Sequence, residues 1–334
     1  MNMLIRSRAL SLISFLALLC FFSFSLIYGP YDTNASFLHI PASVLQMNTI
    51  FLSILIEAIP FVLMGVLIAG FIQIFIHEEH IKKWLPKNRY AAVLTSCVIG
   101  AFFPACECGI VPIVRRLVAK GVPIYAGVGF LLTGPLINPI VIFSTYMAFG
   151  QDIMIAGMRM GIGFVAAVII ALLISILFKH SQLKEEMTPL SAPADPARSS
   201  LVKRVCGMLT HSIDEFFEMG KYLVIGAFFA AFVQTYVEAQ SFLQMGGGWI
   251  SSTLVMMGLA YLLSLCSEAD AFIGASFRHL FPSPSILAFL IYGPMIDLKN
   301  TLMLLSVFHM RFVFCLLLLI TVVVFLCTSF LFFL

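Results

Sequence analysis

Residues 102–112 read Phe-Phe-Pro-Ala-Cys-Glu-Cys-Gly-Ile-Val-Pro and lie within an apolar segment that begins near residue 91. Proline and glycine flank a carboxylate, Glu107, in the middle of this stretch. Because proline removes a backbone donor and kinks a helix, the segment is predicted to break at 103–109 into two half-helices. A charge at the centre of a bilayer costs about 2.5–3.5 kcal/mol on insertion scales. A carboxylate kept at such a break therefore indicates a functional position.

The composition of the whole chain predicts an all-α integral membrane protein. Hydrophobic residues make up 61% of the 334 residues and charged residues 10%, against about half and a quarter in soluble domains. A water-soluble fold is therefore excluded, and apolar segments in lipid must be helical because no water satisfies open backbone groups. About 8–10 membrane segments fit, since each needs roughly 20 apolar residues. The apolar segments lie at 9–28, 50–76, 91–113, 122–148, 154–178, 213–237, 250–272, 284–308 and 312–334.

Four regions follow from the pattern of apolar and polar segments. The apolar run after Arg6 and Arg8 is long for a signal peptide and lacks a clear cleavage site, so it is predicted to remain as a first helix. A stretch rich in proline, serine and charged residues near the middle predicts a flexible cytoplasmic linker. The predicted regions are an N-terminal helix and loop at 1–49, a first membrane repeat at 50–178, the linker at 179–212 and a second membrane repeat at 213–334.

The two membrane regions are related by an internal repeat. Sliding the chain along itself by 161 positions brings rare intramembrane carboxylates into step, and a two-residue deletion further on aligns two Gly-Pro motifs. Chance similarity between apolar helices would not align such uncommon polar residues. The matched positions are Glu57 with Glu218, Gly65 with Gly226, Glu107 with Glu268, and residues 134–138 (Gly-Pro-Leu-Ile-Asn) with 293–297 (Gly-Pro-Met-Ile-Asp).

Basic residues indicate how the repeats are oriented. If 91–121 and 250–283 each enter the membrane and return on the same side, only Arg159 and Arg278 lie outside and Lys299 lies within the membrane. Every other Lys and Arg is then inside, as the positive-inside rule expects. A second segment that spans fully gives the same asymmetry, and repeat symmetry favours re-entry. The repeats are therefore predicted to be inverted.

Inverted repeats with broken helices are typical of secondary transporters, whose binding site lies near the bilayer midplane where the breaks meet. The polar residues at the predicted breaks are therefore the candidate residues for binding a solute or an ion. They are Cys106, Glu107, Cys108, Asn138, Ser267, Glu268, Asp270, Asp297 and Lys299.

The Cys-Glu-Cys motif is the most specific local signal. Two thiols one residue apart can converge on a soft, thiophilic centre if the backbone is irregular, whereas a regular helix separates them by about 200°. The second repeat keeps the glutamate but not the thiols, since the offset places Cys266 opposite Ala105. The carboxylate is thus the better candidate for a role shared by both repeats.

Simpler explanations remain open for several of these residues. Lys299 can neutralise one of the acids as a structural ion pair. Asn138 and Asp297 can cap backbone groups that the Gly-Pro breaks release. Glu57 and Glu218 lie nearer helix ends, where they can reach interfacial water.

Other classes of site have little support. Residues 77–80 (His-Glu-Glu-His) lie in a polar loop beside lysines and are best interpreted as a solvated interfacial segment, so no metal site is predicted. The excess of basic residues follows membrane orientation, which argues against a nucleic-acid partner. No Walker A pattern or cofactor motif is present, so a proton gradient is the expected energy source.

Residues 102–112, followed by residues 134–139 (Gly-Pro-Leu-Ile-Asn-Pro), resemble the UPF0718 predicted permease family, whose best-known members are the ArsP organoarsenical efflux permeases. The likeness covers nearly the whole chain from about residue 48, and both motifs are specific. It implies an inner-membrane permease and, in some members, export of trivalent organoarsenicals, for which Cys106 and Cys108 are candidate ligands. It also implies a separately encoded membrane protein as a candidate partner.

Two functional hypotheses result. The first is a multi-pass permease of the plasma membrane, not an enzyme, that moves a small solute or metalloid through a site at the repeat interface. The second is a non-transporting membrane subunit that acts with a partner as a sensor, a scaffold or a thiol redox protein. A Cys-x-Cys pair can form a strained disulfide, so its redox behaviour separates the two hypotheses.

Overall fold

The computed structural model of the protein describes residues 42–75, 86, 88–103, 105–184, 201–236 and 248–332, without the side chains of 201–204. The predicted first helix at 9–28, the polar motif at 77–80 and Pro104 lie outside the described residues.

Twelve helices make up almost all of the described chain. In chain order the first six are α1 (Ala42–Phe75), α2 (Arg89–Ala101), α3 (Glu107–Ala119), α4 (Ile124–Thr133), α5 (Pro139–Ala148) and α6 (Ile153–Leu177). The remaining six are α7 (Leu201–Tyr236), α8 (Trp249–Leu263), α9 (Ser267–Ser276), α10 (Ser283–Met295), α11 (Leu298–Val307) and α12 (Met310–Phe330).

Five stretches of the described chain are long and apolar enough to cross a membrane, which confirms the predicted all-α integral membrane fold. They are α1, α6, Val205–Tyr236 within α7, Ser283–Val307 across α10 and α11, and α12. The other helices have only 10 to 15 residues. At 1.5 Å per residue such helices reach roughly 15–22 Å, less than the hydrocarbon thickness, so each is a half-helix.

The helices of the two halves occur in the same order and with similar lengths. The first helix of each half has 34 or 36 residues, and the fifth has 10 residues in both. This order agrees with the predicted duplication. The opposite orientation of the two halves and the boundaries 50–178 and 213–334 stay predictions.

Local chemistry explains where several helices begin and end. Asn88 caps α2 by accepting the backbone N–H of Tyr90, and Asp152 caps α6 by accepting that of Met154. Gly121 follows α3 with φ of 92°, a conformation that side chains disfavour. These capping side chains and this glycine divide a largely apolar sequence into separate helices.

The helix α7 begins at Leu201, within the predicted linker at 179–212, whose bounds stay a prediction. Contact with α1 accounts for the extra helical turns. The hydroxyl of Ser212 is buried and donates to the carbonyl oxygen of Val66 at 3.0 Å, and Gly70 leaves room for this hydroxyl.

The predicted interruptions of the later segments are present. Gly134 ends α4 and lies before a turn that leads into α5. In the second half Gly293 and Pro294 still belong to α10, and the helix ends at Met295, directly after the motif.

Two glycines allow the long helices to approach the half-helices closely. Gly65 of α1 lies against the backbone of Gly109 in α3, and Gly226 of α7 lies against the backbone of Lys299 in α11. Gly65 and Gly226 are the positions that the sequence repeat pairs. The helices α1 and α7 also pack against each other, so together they cover the α3–α11 side of the protein.

The α5–α9 side has no equivalent cover among the described helices. The half-helices α5 and α9 pack together in the way that α11 and α3 do. Their outer faces are apolar and exposed, with Phe143 at 63% and Phe272 at 57% of full exposure.

Candidate functional site

Both breaks end in a cysteine that precedes a half-helix. Cys106 is the N-cap of α3 and Cys266 the N-cap of α9, and both have extended backbones with ψ of 166° and 157°. The structure thus places Cys266 opposite Cys106, one residue away from its predicted position opposite Ala105. Matched residues of α1 and α7 are 161 positions apart, whereas the N-capping cysteines of α3 and α9 are 160 positions apart. The second half therefore has one residue fewer between these points, and the apolar sequence there does not show where the gap lies.

The two thiols of the Cys-Glu-Cys motif lie close together. Because Cys106 is extended and Cys108 is helical, their side chains come within hydrogen-bonding reach of each other. Both are free thiols, and Cys108 is buried whereas Cys106 is partly exposed. The irregular backbone that a two-thiol site needs is therefore present at this break.

A buried charged cluster lies directly beside the thiols. The ammonium of Lys299 is 3.2 Å from Oε1 of Glu107 and 3.4 Å from Oδ2 of Asp297. It also donates to the carbonyl oxygen of Ser264 at 3.2 Å. The predicted pairing of Lys299 with an acid is confirmed, and the pair joins the first half to the second.

Ser264 is in an uncommon backbone conformation where its carbonyl meets Lys299. It follows α8 with φ of 47°, in the left-handed region that residues other than glycine rarely adopt. Strained backbone of this kind is concentrated at functional sites.

The capping roles of Asn138 and Asp297 are confirmed. The side chain of Asn138 accepts the backbone N–H of Ile140 at 3.0 Å, and Asp297 accepts that of Asn300 at 2.5 Å. Both caps are buried and begin the equivalent half-helices α5 and α11.

Arg159, which the count of basic residues places on the outer side, is buried within the protein, and the side of the membrane that it faces stays a prediction. Its side chain is buried at 2% exposure, donating from Nη1 to Oγ1 of Thr145 at 2.6 Å and from Nη2 to the carbonyl oxygen of Ser267 at 3.0 Å. Arg159 therefore belongs to the site, although sequence reasoning missed it. Its place inside the apolar segment 154–178 was the signal that could have found it.

Asp270 lies near Arg159 without a direct ion pair to it. The carboxylate has no exposure, and neither oxygen has a hydrogen-bond partner among the described residues. It is close enough to Arg159, Asp297 and Lys299 to interact electrostatically with them. Asp270 thus links the two groups of charges.

The remaining carboxylates are divided between the break and the helix ends. Glu268 is partly exposed, and Glu57 is exposed on α1 within hydrogen-bonding reach of the Cys266 thiol. Glu218 pairs with Arg115 at 3.3 Å, at the end of α3 away from the break. Glu57 is therefore nearer the site than its predicted place at a helix end implies.

Helix dipoles favour the acids at these breaks. Glu107 lies in the first turn of α3, and Glu268 and Asp270 lie in the first turn of α9. The partial positive charge of a helix N-terminus stabilises a carboxylate there, and broken helices use such ends to bind polar substrates or ions. Within the described chain no three His, Cys, Asp or Glu side chains converge to hold a metal.

Two halves with six described helices each, broken helices and buried charges of both signs at the breaks define a multi-pass membrane protein of the permease class. The chain belongs to the predicted permease family ArsP_1, whose profile matches residues 43–332. It is accordingly a plasma-membrane protein, and family membership indicates a transporter rather than an enzyme.

Three relatives support this assignment. UPF0718 protein YcgR of Bacillus subtilis (strain 168) is 52% identical over 283 residues, which are 85% of this chain and 96% of the relative. A Streptococcus mutans protein named "Putative two-component membrane permease complex subunit" is 41% identical over 279 residues, 84% and 92% of the two chains. UPF0718 protein MJ0584 of Methanocaldococcus jannaschii is 28% identical over 144 residues, 42% and 39%. No solved structure matches the chain.

Proposed function

We propose that the protein is a secondary transporter that moves a small solute through the site where the half-helices begin. The observation that carries the proposal is the buried ion pair between Glu107 of the first half and Lys299 of the second. Two buried charges from different halves are costly to desolvate, so they are expected to be retained for a function.

Alternating access follows from the position of this pair at the interface between the halves. Rocking of one half against the other changes the distance between Glu107 and Lys299 and opens the site to one side at a time. A bound solute that interacts with either charge compensates for the broken ion pair. Solute binding and the change of access are thereby linked.

Transport into inverted membrane vesicles tests this proposal. Uptake of phenylarsine oxide, a trivalent organoarsenical, is expected with the unmodified protein and is expected to be lost with Glu107→Gln. Glu218→Gln is the matched control, because that glutamate of α7 pairs with Arg115 near the end of α3 that is away from the break. Equal uptake by the Glu107→Gln variant and the unmodified protein would remove Glu107 from the mechanism.

We further propose that the solute is a thiophilic metalloid and that the direction is efflux. The support is the adjacent thiols of Cys106 and Cys108 and the family resemblance. A trivalent organoarsenical with two hydroxyl groups can react with both thiols: two As–S bonds form as two As–O bonds break, and each hydroxyl leaves as water with the proton of one thiol. Cells that carry Cys106→Ser or Cys108→Ser should lose resistance to organoarsenicals while Cys327→Ser, in α12 away from the break, leaves resistance intact.

A membrane partner is also proposed, because the relative from Streptococcus mutans is named as a subunit of a two-component complex. A second membrane protein should co-purify in a fixed ratio from native membranes after mild solubilisation, and its co-expression should raise transport. Full transport by the purified chain alone would contradict a requirement for a partner.

The thiol pair also favours a second candidate function, a membrane redox protein that cycles Cys106 and Cys108 between dithiol and disulfide. Thiol labelling separates the two candidates. A redox role predicts labelling that changes with reductant, whereas a transport site predicts protection of the thiols by phenylarsine oxide.

A further inference from the structure

Asp270 is the buried acid of the site with the least compensation. The carboxylate of Glu107 lies 3.2 Å from the ammonium of Lys299. Asp297 accepts the backbone N–H of Asn300 and lies 3.4 Å from the same ammonium. Asp270 has neither a hydrogen bond nor a cation within 4.0 Å among the described residues. A buried carboxylate in such surroundings is expected to acquire a proton rather than remain charged.

A count of the buried charges also indicates that one carboxylate of the site binds a proton. Three carboxylates, Glu107, Asp270 and Asp297, face two cations, Lys299 and Arg159, so full ionisation leaves one negative charge in excess. The partly exposed Glu268 on the same helix adds to the excess. A single bound proton neutralises the buried group, and Lys299 already lies between the other two acids.

The equivalent position in the first half is apolar. A side chain at Gly293 would meet Oδ2 of Asp270 at 2.5 Å, and a side chain at the matched Gly134 would meet Cδ1 of Ile110. Ile110 and Asp270 are each the fourth residue after the N-capping cysteine. The fold thus provides the same pocket twice, and only the second half places a carboxylate in it.

We propose that Asp270 is the binding site for the coupling proton of this permease, with Arg159 as the positioning residue that attracts the carboxylate when the proton leaves. The proposal rests on the proposed transport function and assigns its coupling ion. Proton binding forms an O–H bond on one oxygen of Asp270, and release returns the electron pair to the carboxylate.

Asp270 also has the contacts needed to couple protonation to movement. Arg159 extends from α6 of the first half and donates to the carbonyl oxygen of Ser267 in α9, one turn before Asp270. An ionised Asp270 competes for this guanidinium, whereas a protonated one does not. The charge state of Asp270 therefore changes the strength of the contact between the halves.

Infrared difference spectroscopy of the purified full-length protein, acid minus alkaline, tests the proposal without any substrate. A carbonyl-stretch band at the position of a buried carboxylic acid without hydrogen bonds, separate from the bands of the exposed carboxyl groups, is expected with the unmodified protein and is expected to be lost with Asp270→Asn. Glu268→Gln, on the same helix turn but partly exposed, should retain the band. An unchanged band in Asp270→Asn, or no band with the unmodified protein, would overturn the proposal.

Vesicle transport of phenylarsine oxide provides a second and independent readout. Asp270→Asn should still equilibrate the arsenical across the membrane but should no longer accumulate it when a proton gradient is applied. Retained proton-driven accumulation, or accumulation driven by a sodium gradient, would contradict proton coupling at Asp270. A protein that carries no arsenical at all would refute the proposed function, while the infrared band would still decide whether Asp270 binds a proton.

A folding control accompanies both experiments. Asp270→Asn keeps the size and shape of the side chain, so it should elute as the unmodified protein does in size-exclusion chromatography. Asp270→Glu, which retains a carboxyl group, should restore an infrared band if the first variant loses it.

Discussion

On one side of the molecule α3 lies against α11, and the long helices α1 and α7 cover the pair. On the other side α9 lies against α5, and neither α1 nor α7 packs along them. The covered side holds a close ion pair, Glu107 with Lys299. The open side holds Asp270 and Arg159 without direct contact. Corresponding half-helices of the two halves thus have different surroundings, and the charges at their breaks differ accordingly.

Removing the cation on the covered side should have the largest effect. Lys299→Met leaves Glu107 and Asp297 buried without their shared partner, and loss of one member of a buried pair costs about 3–5 kcal/mol. Thermal unfolding in detergent measures this loss. Lys221→Met, which removes a partly exposed lysine of α7, should leave the unfolding temperature nearly unchanged.

Removing the cation on the open side should cost less. Arg159→Met loses two hydrogen bonds to neutral buried acceptors, and the expected destabilisation is about 2–3 kcal/mol. Arg278→Met is the control, because its half-exposed pair with Asp152 at 3.5 Å is worth at most about 1 kcal/mol. Equal losses for Arg159→Met and Arg278→Met would mean that the buried guanidinium contributes nothing to stability.

A methyl group at the close approach of α1 to α3 tests how tightly the covered side is packed. Gly65→Ala should destabilise the protein by about 1–3 kcal/mol, because the new Cβ overlaps the carbonyl of Gly109. Gly157→Ala adds a methyl where nothing lies within 4 Å, so it should be neutral. If the two variants unfold at the same temperature, α1 is not closely packed against α3.

The exposed face of the open side should tolerate change best. Phe143→Ala should alter the stability of the purified protein by no more than about 0.5 kcal/mol, as expected for exposed positions. Phe289→Ala, a fully buried change in α10, should cost about 3–5 kcal/mol. A large loss with Phe143→Ala would show that α5 is covered in the purified protein.

The helices and the breaks were predictable because both depend on local chemistry. Apolar length gives the membrane helices, and proline with glycine around Glu107 and at 134–135 gives the interruptions. The pairing of Lys299 with an acid was also predictable, since a lone buried charge is unfavourable.

Other features depend on contacts between distant parts of the chain. A count of basic residues by segment gives only a side of the membrane for Arg159, whereas the burial of its side chain against Thr145 depends on how α5 and α6 pack. The part of α7 before residue 213 packs against α1 through Ser212, a contact that polar composition does not reveal. The convergence of Cys106 with Cys108 requires an extended N-cap, a geometry that sequence spacing only allows.

The most direct measurement is a double-mutant cycle on the thermal stability of the full-length protein, with Glu107→Gln, Lys299→Met and both changes together. If the carboxylate of one half and the ammonium of the other are paired at the break, the double variant should be more stable than the sum of the single effects by about 0.5–3 kcal/mol. Strictly additive effects would show that the two charges do not interact and would contradict a shared site between the halves.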